Sequence, residues 1–200
     1  MNKAKKYIFL LLAVALIISR PYKSFPQSAT VPININVNGT LTITDAANDT
    51  NSGKDPTINV NLSITPDLGS AEVKGNANFR IRTNRSVWRL TAQRTTEIDT
   101  GPTNIVAMDI GVLITKSAGS NANINAGTIV APFNAQTDLS SIPTSSPIDV
   151  LNGTAKTSVA RDNSNTNNYF QITTVYSIFP DFFFQPGTWQ TTITYNLVSP

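Results

Sequence analysis

Arg80, Arg82, Arg85 and Arg89 are the residues of this chain best suited to hold a charged ligand. Guanidinium groups spaced this closely favour a polyanion, such as a wall polymer or an acidic glycan, through charge-assisted hydrogen bonds. The plainer account is a solvated face, or pairing with a carboxylate such as Asp109. Phe182, Phe183 and Phe184 form a second candidate. Consecutive side chains of an extended chain point to opposite sides, so the three cannot all turn inward. An exposed apolar tip there would be an interaction site. Asp45, Asp49, Asn51 and Asp55 make an oxygen-rich loop of the kind calcium favours. Gly53 falls where a ligand belongs and no glutamate closes the loop, so a solvated loop without metal is expected. Trp88, Trp189 and Tyr195 would suit a sugar platform, but their parity places them in the core. Asn-x-Ser/Thr triplets at Asn38, Asn48, Asn61, Asn84 and Asn152 are about as frequent as this Asn-, Ser- and Thr-rich composition produces by chance, and carry no weight.

Absent residue types narrow the chemistry further. The chain has neither His nor Cys. That removes Ser-His-Asp and Cys-His catalysis and imidazole metal sites. Carboxylates alone remain for acid–base work, and no acid pair falls in an aromatic cleft pattern that a glycosidase would need. The chain is expected to be non-enzymatic and to use no cofactor.

The N-terminus carries an export signature. Lys3, Lys5 and Lys6 precede an apolar run over residues 7–18, which Arg20, Pro21 and Lys23 end. Such a run is short for a membrane span and fits a secretory signal peptide, cut after Ala29 or, as a second choice, after Ser28. Residues 1–29 are therefore assigned to the leader and 30–200 to one domain. Downstream of the leader stand ten basic and 12 acidic residues, a net charge of −2. The basic pI belongs to the leader, so no nucleic-acid partner is implied. No later apolar stretch reaches spanning length. An exported domain of this size buries enough apolar surface to fold without disulfides.

The elements that must position these residues are strands. In residues 187–198, Trp189, Ile193, Tyr195 and Leu197 share one parity against Gln190, Thr192, Thr194 and Asn196, the period of a half-buried strand. Val31, Ile33, Ile35, Val37, Leu41 and Ile43 keep one parity, predicting a single long strand over 31–43, kinked at Gly39. Ile58, Val60, Leu62 and Ile64 predict another. Phe79 and Ile81, then Trp88, Leu90 and Ala92, predict a hairpin turning at Asn84-Arg85, with Ile81 opposite Trp88 and Phe79 opposite Leu90. The same register puts Arg80 opposite Arg89, beside Arg82. Further strands are expected over 106–114, near 127–131 and 155–160, and over 170–178. No helical periodicity follows the leader. Strands at this spacing predict one antiparallel β-sandwich of immunoglobulin-like or Greek-key type, with a small closed barrel as the alternative.

Two stretches carry a resemblance. Val87-Trp88-Arg89-Leu90-Thr91-Ala92 resembles the first Trp-x-Leu motif of WxL domains, cell-wall-binding β-domains of Gram-positive surface proteins. Residues 187–197 are similar to the closing strand of that family, with Tyr195-Asn196-Leu197 in place of its second Trp-x-Leu. The resemblance implies a β-domain attached to peptidoglycan. The chain also resembles exported pilins of the chaperone–usher type in size and in its closing strand. Those pilins complete a neighbouring subunit with an alternating N-terminal segment, a role open to residues 31–43, and often carry a disulfide, which is absent here. The expectation is an exported, non-enzymatic β-sandwich of the cell surface that attaches to a cell-wall or extracellular polymer. The alternative is a subunit of a surface filament, with other surface proteins or copies of itself as partners. For residues 31–43, pairing within their own domain is the expectation, because the C-terminal strand already looks complete.

Overall fold

The computed structural model describes residues 31–200, so the expected leader and both expected cleavage positions lie outside the described residues. The chain divides into two compact units, Met1–Val37 and Asn38–Pro200. Of the first unit, residues 31–37 are described. They form no strand, and Val31, Ile33, Ile35 and Val37 are each 78–82% exposed.

The second unit is an antiparallel all-β sandwich. One sheet holds β1 (Leu41–Asp45), β2 (Val73–Thr83), β9 (Phe170–Ile178), β5 (Gly111–Ala118) and β7 (Thr137–Asp138), in that spatial order. The other holds β11 (Ile193–Val198), β3 (Trp88–Arg94), β8 (Ile148–Gly153) and β6 (Gly127–Ile129). A short ladder joins β4 (Ile98–Thr100) to β10 (Thr188–Gln190). The inward parity of β2 and β9 supplies Phe79, Ile81, Phe170 and Ile172, and that of β3 supplies Trp88, Leu90 and Ala92, all buried. Trp88 stacks on Phe170 across the sandwich, with ring centroids 6.2 Å apart, and Phe79 meets Tyr195 at 5.1 Å. Aromatic contacts between the inner faces of two sheets are the usual packing of a sandwich. Trp88 donates its indole N–H to the Ala155 carbonyl at 2.7 Å, so its one polar atom is satisfied.

Several elements differ from expectation. β2 and β3 do not form a hairpin: β2 pairs with β1 and β9, β3 with β11 and β8. Ile81, Phe79, Trp88 and Leu90 do share one core, but across two sheets. An inward period of two fits neighbours in one sheet and strands facing each other across two sheets equally well, and residues 84–87 carry the chain over the corner. Thr83 anchors that corner, donating its hydroxyl to the Thr40 carbonyl at 2.8 Å and accepting the Arg85 N–H at 3.0 Å. The strand over 31–43 is reduced to β1. Residues 107–109 are a 3-10 turn, so the strand expected over 106–114 starts at Gly111 and runs to Ala118. The strand near 155–160 is instead β8, just upstream. The last stretch breaks at Thr191-Thr192 into β10 and β11, and Trp189 is half-buried rather than central.

Residues 58–64 differ in another way. Ile58, Val60, Leu62 and Ile64 do pack on the core, with Asn59, Asn61 and Ser63 exposed between them. Yet no ladder joins these residues to any described strand.

The register defines two ends of the sandwich. At one, the hairpin-like corner at Asn84 lies beside the start of β9 and the end of β11. At the other, β9 ends at Ile178 beside Val73 and Gly111. These are the corner end and the tip end below.

Candidate functional site

The arginine group splits in two. Arg80 and Arg82 point to the outer face of β2, and a single carboxylate, Asp49, sits between them. Arg82 grips it with both terminal nitrogens, Nη1 to Oδ1 at 2.7 Å and Nη2 to Oδ2 at 2.6 Å, while Arg80 Nη1 donates to Oδ2 at 2.8 Å. Thr44 adds its hydroxyl at 2.6 Å. Arg82 Nε donates to Asn168 Oδ1 at 3.0 Å, and the Arg80 guanidinium lies 4.0 Å above the Tyr169 ring. Burial works against the charged form of Asp49, but the hydrogen bonds from Arg82, Thr44 and Arg80 outweigh it and hold its carboxyl well below the usual range. The partner of these arginines is therefore Asp49, with its side chain only 12% exposed, and not Asp109. Asp109 sits at the tip end, where it accepts the Val106 N–H.

Arg89 belongs to the other sheet, 3.4 Å from Asp149, so it does not oppose Arg80. Arg85 is exposed at the corner. The structure thus brings Arg80 and Arg82 together with an acid and leaves Arg85 and Arg89 elsewhere. The oxygen-rich loop has the same resolution. Its central acid, Asp49, has both oxygens occupied by arginines, and among the described residues no group of acids gathers to hold a metal.

The aromatic run lies at the tip end. Phe182 and Phe183 are 71% and 67% exposed, while Phe184 packs on the core. The Asp181 carboxylate accepts the Phe183 N–H at 2.7 Å, which turns the chain and throws these rings outward. Phe179 and Met108 extend the apolar surface at the same end.

Tyr195 fills the position where a second Trp-x-Leu would begin. Its ring lies in the core, and its hydroxyl meets Tyr176 Oη at 3.1 Å and Thr174 Oγ1 at 3.4 Å. Burial raises the pKa of both tyrosines, Tyr176 the further. They are neutral core residues here, not a sugar platform.

Residues 57–66, whose alternation predicts an ordinary strand, lie instead along an open side of the sandwich. Residues 57–66 run from the level of Lys54, which bridges Thr44, toward the loop before Val73. Val60 and Leu62 lie over Gly75 of β2. A Cβ there would come within 2.6 Å of Val60 Cγ1 and 2.9 Å of Leu62 Cδ2, so a larger residue would push these two side chains away. The apolar face is used, but no backbone N–H or C=O of residues 57–66 bonds to another described backbone group. On the same side, β3 is the only neighbour of β11 among the described strands, and β1 covers Phe79–Thr83 of β2, leaving Val73–Ala77 without a ladder on that edge. Gly75 pairs with Tyr176, whose hydroxyl meets Tyr195 of β11, so the unpaired segment and the β11 edge converge on one part of the core. The signal for this in the sequence was faint: a strand pattern with no turn linking it to a neighbour.

No protein-family model matches this chain, and no curated protein matches it. The class rests on the fold, an all-β antiparallel sandwich. The two resemblances above rest on their own residues.

Proposed function

We propose that this protein is an exported, non-enzymatic β-sandwich of the cell surface that works as a structural subunit, joined to its partner by an added β-strand. The observation that carries this is the unpaired backbone of residues 57–66. An extended chain whose apolar face is packed and whose peptide groups lack strand partners is a template for another strand. Recognition by strand addition uses main-chain hydrogen bonds for affinity and alternate side chains for fit. The export signature over residues 1–29 supports a location outside the cell. Attachment to an anionic wall polymer, through Arg85 and Arg89, has less behind it, since Arg80 and Arg82 are neutralised within the fold.

The test is hydrogen exchange on the assembled protein released from native cells, compared with the monomer. Strand addition predicts that amides of residues 57–66 exchange rapidly in the monomer and are protected about a hundredfold or more in the assembly. Equal, fast exchange in both forms overturns the proposal.

A further inference from the structure

We infer that the tip end is a docking groove for a basic, apolar-flanked segment of a partner protein. A lysine or arginine of that partner sits between Phe179 and Phe183, where Asp109 and Asp181 meet its charge. The inference is independent of strand addition, since none of these residues lies within 57–66.

The first support is shape. Two cavities of about 470 and 320 Å³ open at the tip, and Asp109 and Phe179 line both, so they form one groove. Asp181, Phe183 and Phe184 wall its smaller part, and Met108 and Asp138 stand along its larger part. Met108, Phe179, Phe182 and Phe183 are 62–71% exposed, and Val106 is exposed beside them. Large apolar side chains gathered in this way on a surface mark an interaction site.

The second support is that the rings are held in place. The Asp181 carboxylate and carbonyl accept the Phe183 and Phe184 N–H groups, at 2.7 and 3.1 Å. Asn104 Nδ2 donates to the Phe183 carbonyl at 3.3 Å, and the Gln185 N–H donates to the Thr103 carbonyl at 2.9 Å. The turn is thus braced within itself and against the 103–104 loop, with Phe184 anchored on the core. A partner meeting a braced surface has little ordering cost to overcome.

The third support is charge, which names the occupant. Glu72, Asp109, Asp138 and Asp181 line the groove, and no lysine or arginine does. Glu72 is paired with Lys74 at 2.7 Å, whereas the three aspartates form no ion pair among the described residues. Each of the three gives one oxygen to a backbone N–H, that of Val106, Ser140 or Phe183, and has its other oxygen available. A cation set between aromatic rings and carboxylates is attracted by both. The apolar rim matches apolar side chains beside that cation, which a polyamine or an amino-sugar chain lacks. The same carboxylates repel an anionic lipid surface.

The test selects phage displaying random heptapeptides on the native chain, after depletion on a chain carrying Phe179→Ser and Phe183→Ser. Both serines fall at exposed positions, so the variant should melt as the native chain does. Depletion removes peptides that bind the open side or any other unchanged surface. The expected survivors carry Lys or Arg beside Leu, Phe or Met. Asp109→Asn with Asp181→Asn should weaken a synthetic survivor about tenfold and reduce the salt dependence of its binding. Asparagine keeps an acceptor for the Val106 and Phe183 N–H groups, so the turn stays braced. Asp45→Asn with Asp55→Asn, two acids outside the groove, should leave binding unchanged. Survivors without basic residues overturn the inference, and an equal loss from the two asparagine pairs reduces it to general charge attraction and overturns it as well. Self-association of the native chain that the serine variant loses assigns the groove to a second copy. Binding of a chitosan oligomer, with no peptide survivors, assigns it to an amino sugar. Each of these overturns the partner protein, and no survivors with no such binding overturns the groove itself.

Discussion

The corner end and the open side use the same kind of chain and treat it differently. At the corner, Trp88 is fully buried with its N–H bonded, Thr83 ties three segments together, and Asp49 neutralises two arginines. Among the described residues no buried side-chain polar atom lacks a partner. On the open side, Ile58, Val60, Leu62 and Ile64 pack on the core, yet the backbone of residues 57–66 has no ladder. A cluster whose charges and hydrogen bonds are satisfied internally is a structural device, however suggestive its residues. An unsatisfied backbone beside a finished apolar face is where a partner is missing. Burying peptide groups without hydrogen bonds costs about 1–3 kcal/mol each, so water or another strand must meet these.

Breaking the closed end should have the largest effect. Trp88→Ala should lower stability by about 3–5 kcal/mol, read as a shift in the denaturant midpoint of the monomer. Trp88 also lies against Gly153, where a Cβ would fall 1.8 Å from its ring, so Gly153→Ala should destabilise too. A midpoint unmoved by Trp88→Ala would mean that the corner is not the keystone of the packing.

Asp49→Asn comes next, at about 3 kcal/mol near pH 7, because it leaves two half-buried guanidinium groups without their shared anion. The pH dependence has a definite sign. The folded carboxyl is held below its unfolded value, so its contribution is complete above the usual carboxylate range and is lost as pH falls through the depressed folded value. The stability gap between the native chain and Asp49→Asn should therefore narrow only below about pH 4. A gap constant down to strongly acidic pH would show that the charge of Asp49 contributes nothing.

The open side should yield least in the monomer and most in the assembly. Leu62→Ala, at a half-buried position, should cost the isolated domain about 1–2 kcal/mol. The same substitution should shorten the lifetime of the assembled form by at least tenfold, measured by dissociation on dilution. Equal and small effects on both would erase the distinction between the two regions.

Much of the fold was legible in single residues. The alternation in residues 170–178 specified a strand buried on one face, and β9 occupies that span at the centre of its sheet. Phe79, Ile81, Trp88 and Leu90 were recognisable as core because a period of two sorts side chains by face wherever the strand is placed. The same period says nothing about which strand is the neighbour, which is why a hairpin was expected where the chain crosses between sheets. It also could not separate 31–37, 58–64 and β1, since pattern reports side-chain burial and is silent on backbone partners.

The candidate site shows the same division. Arg80 and Arg82 stood out by type and spacing, and Asp49 stood out in an oxygen-rich loop. No local rule connects residues 31–33 positions apart in sequence, so their union was a tertiary fact. By itself the sequence determined the chemistry that is out of reach, since without His or Cys whole classes of site cannot exist, and it determined the apolar faces, since parity is local. Only the tertiary structure decided which charges are spent on each other and which strand is left without a neighbour. Both depend on contacts between segments far apart in the chain, and those are set by how the sheets close, not by the order of residues within any one strand.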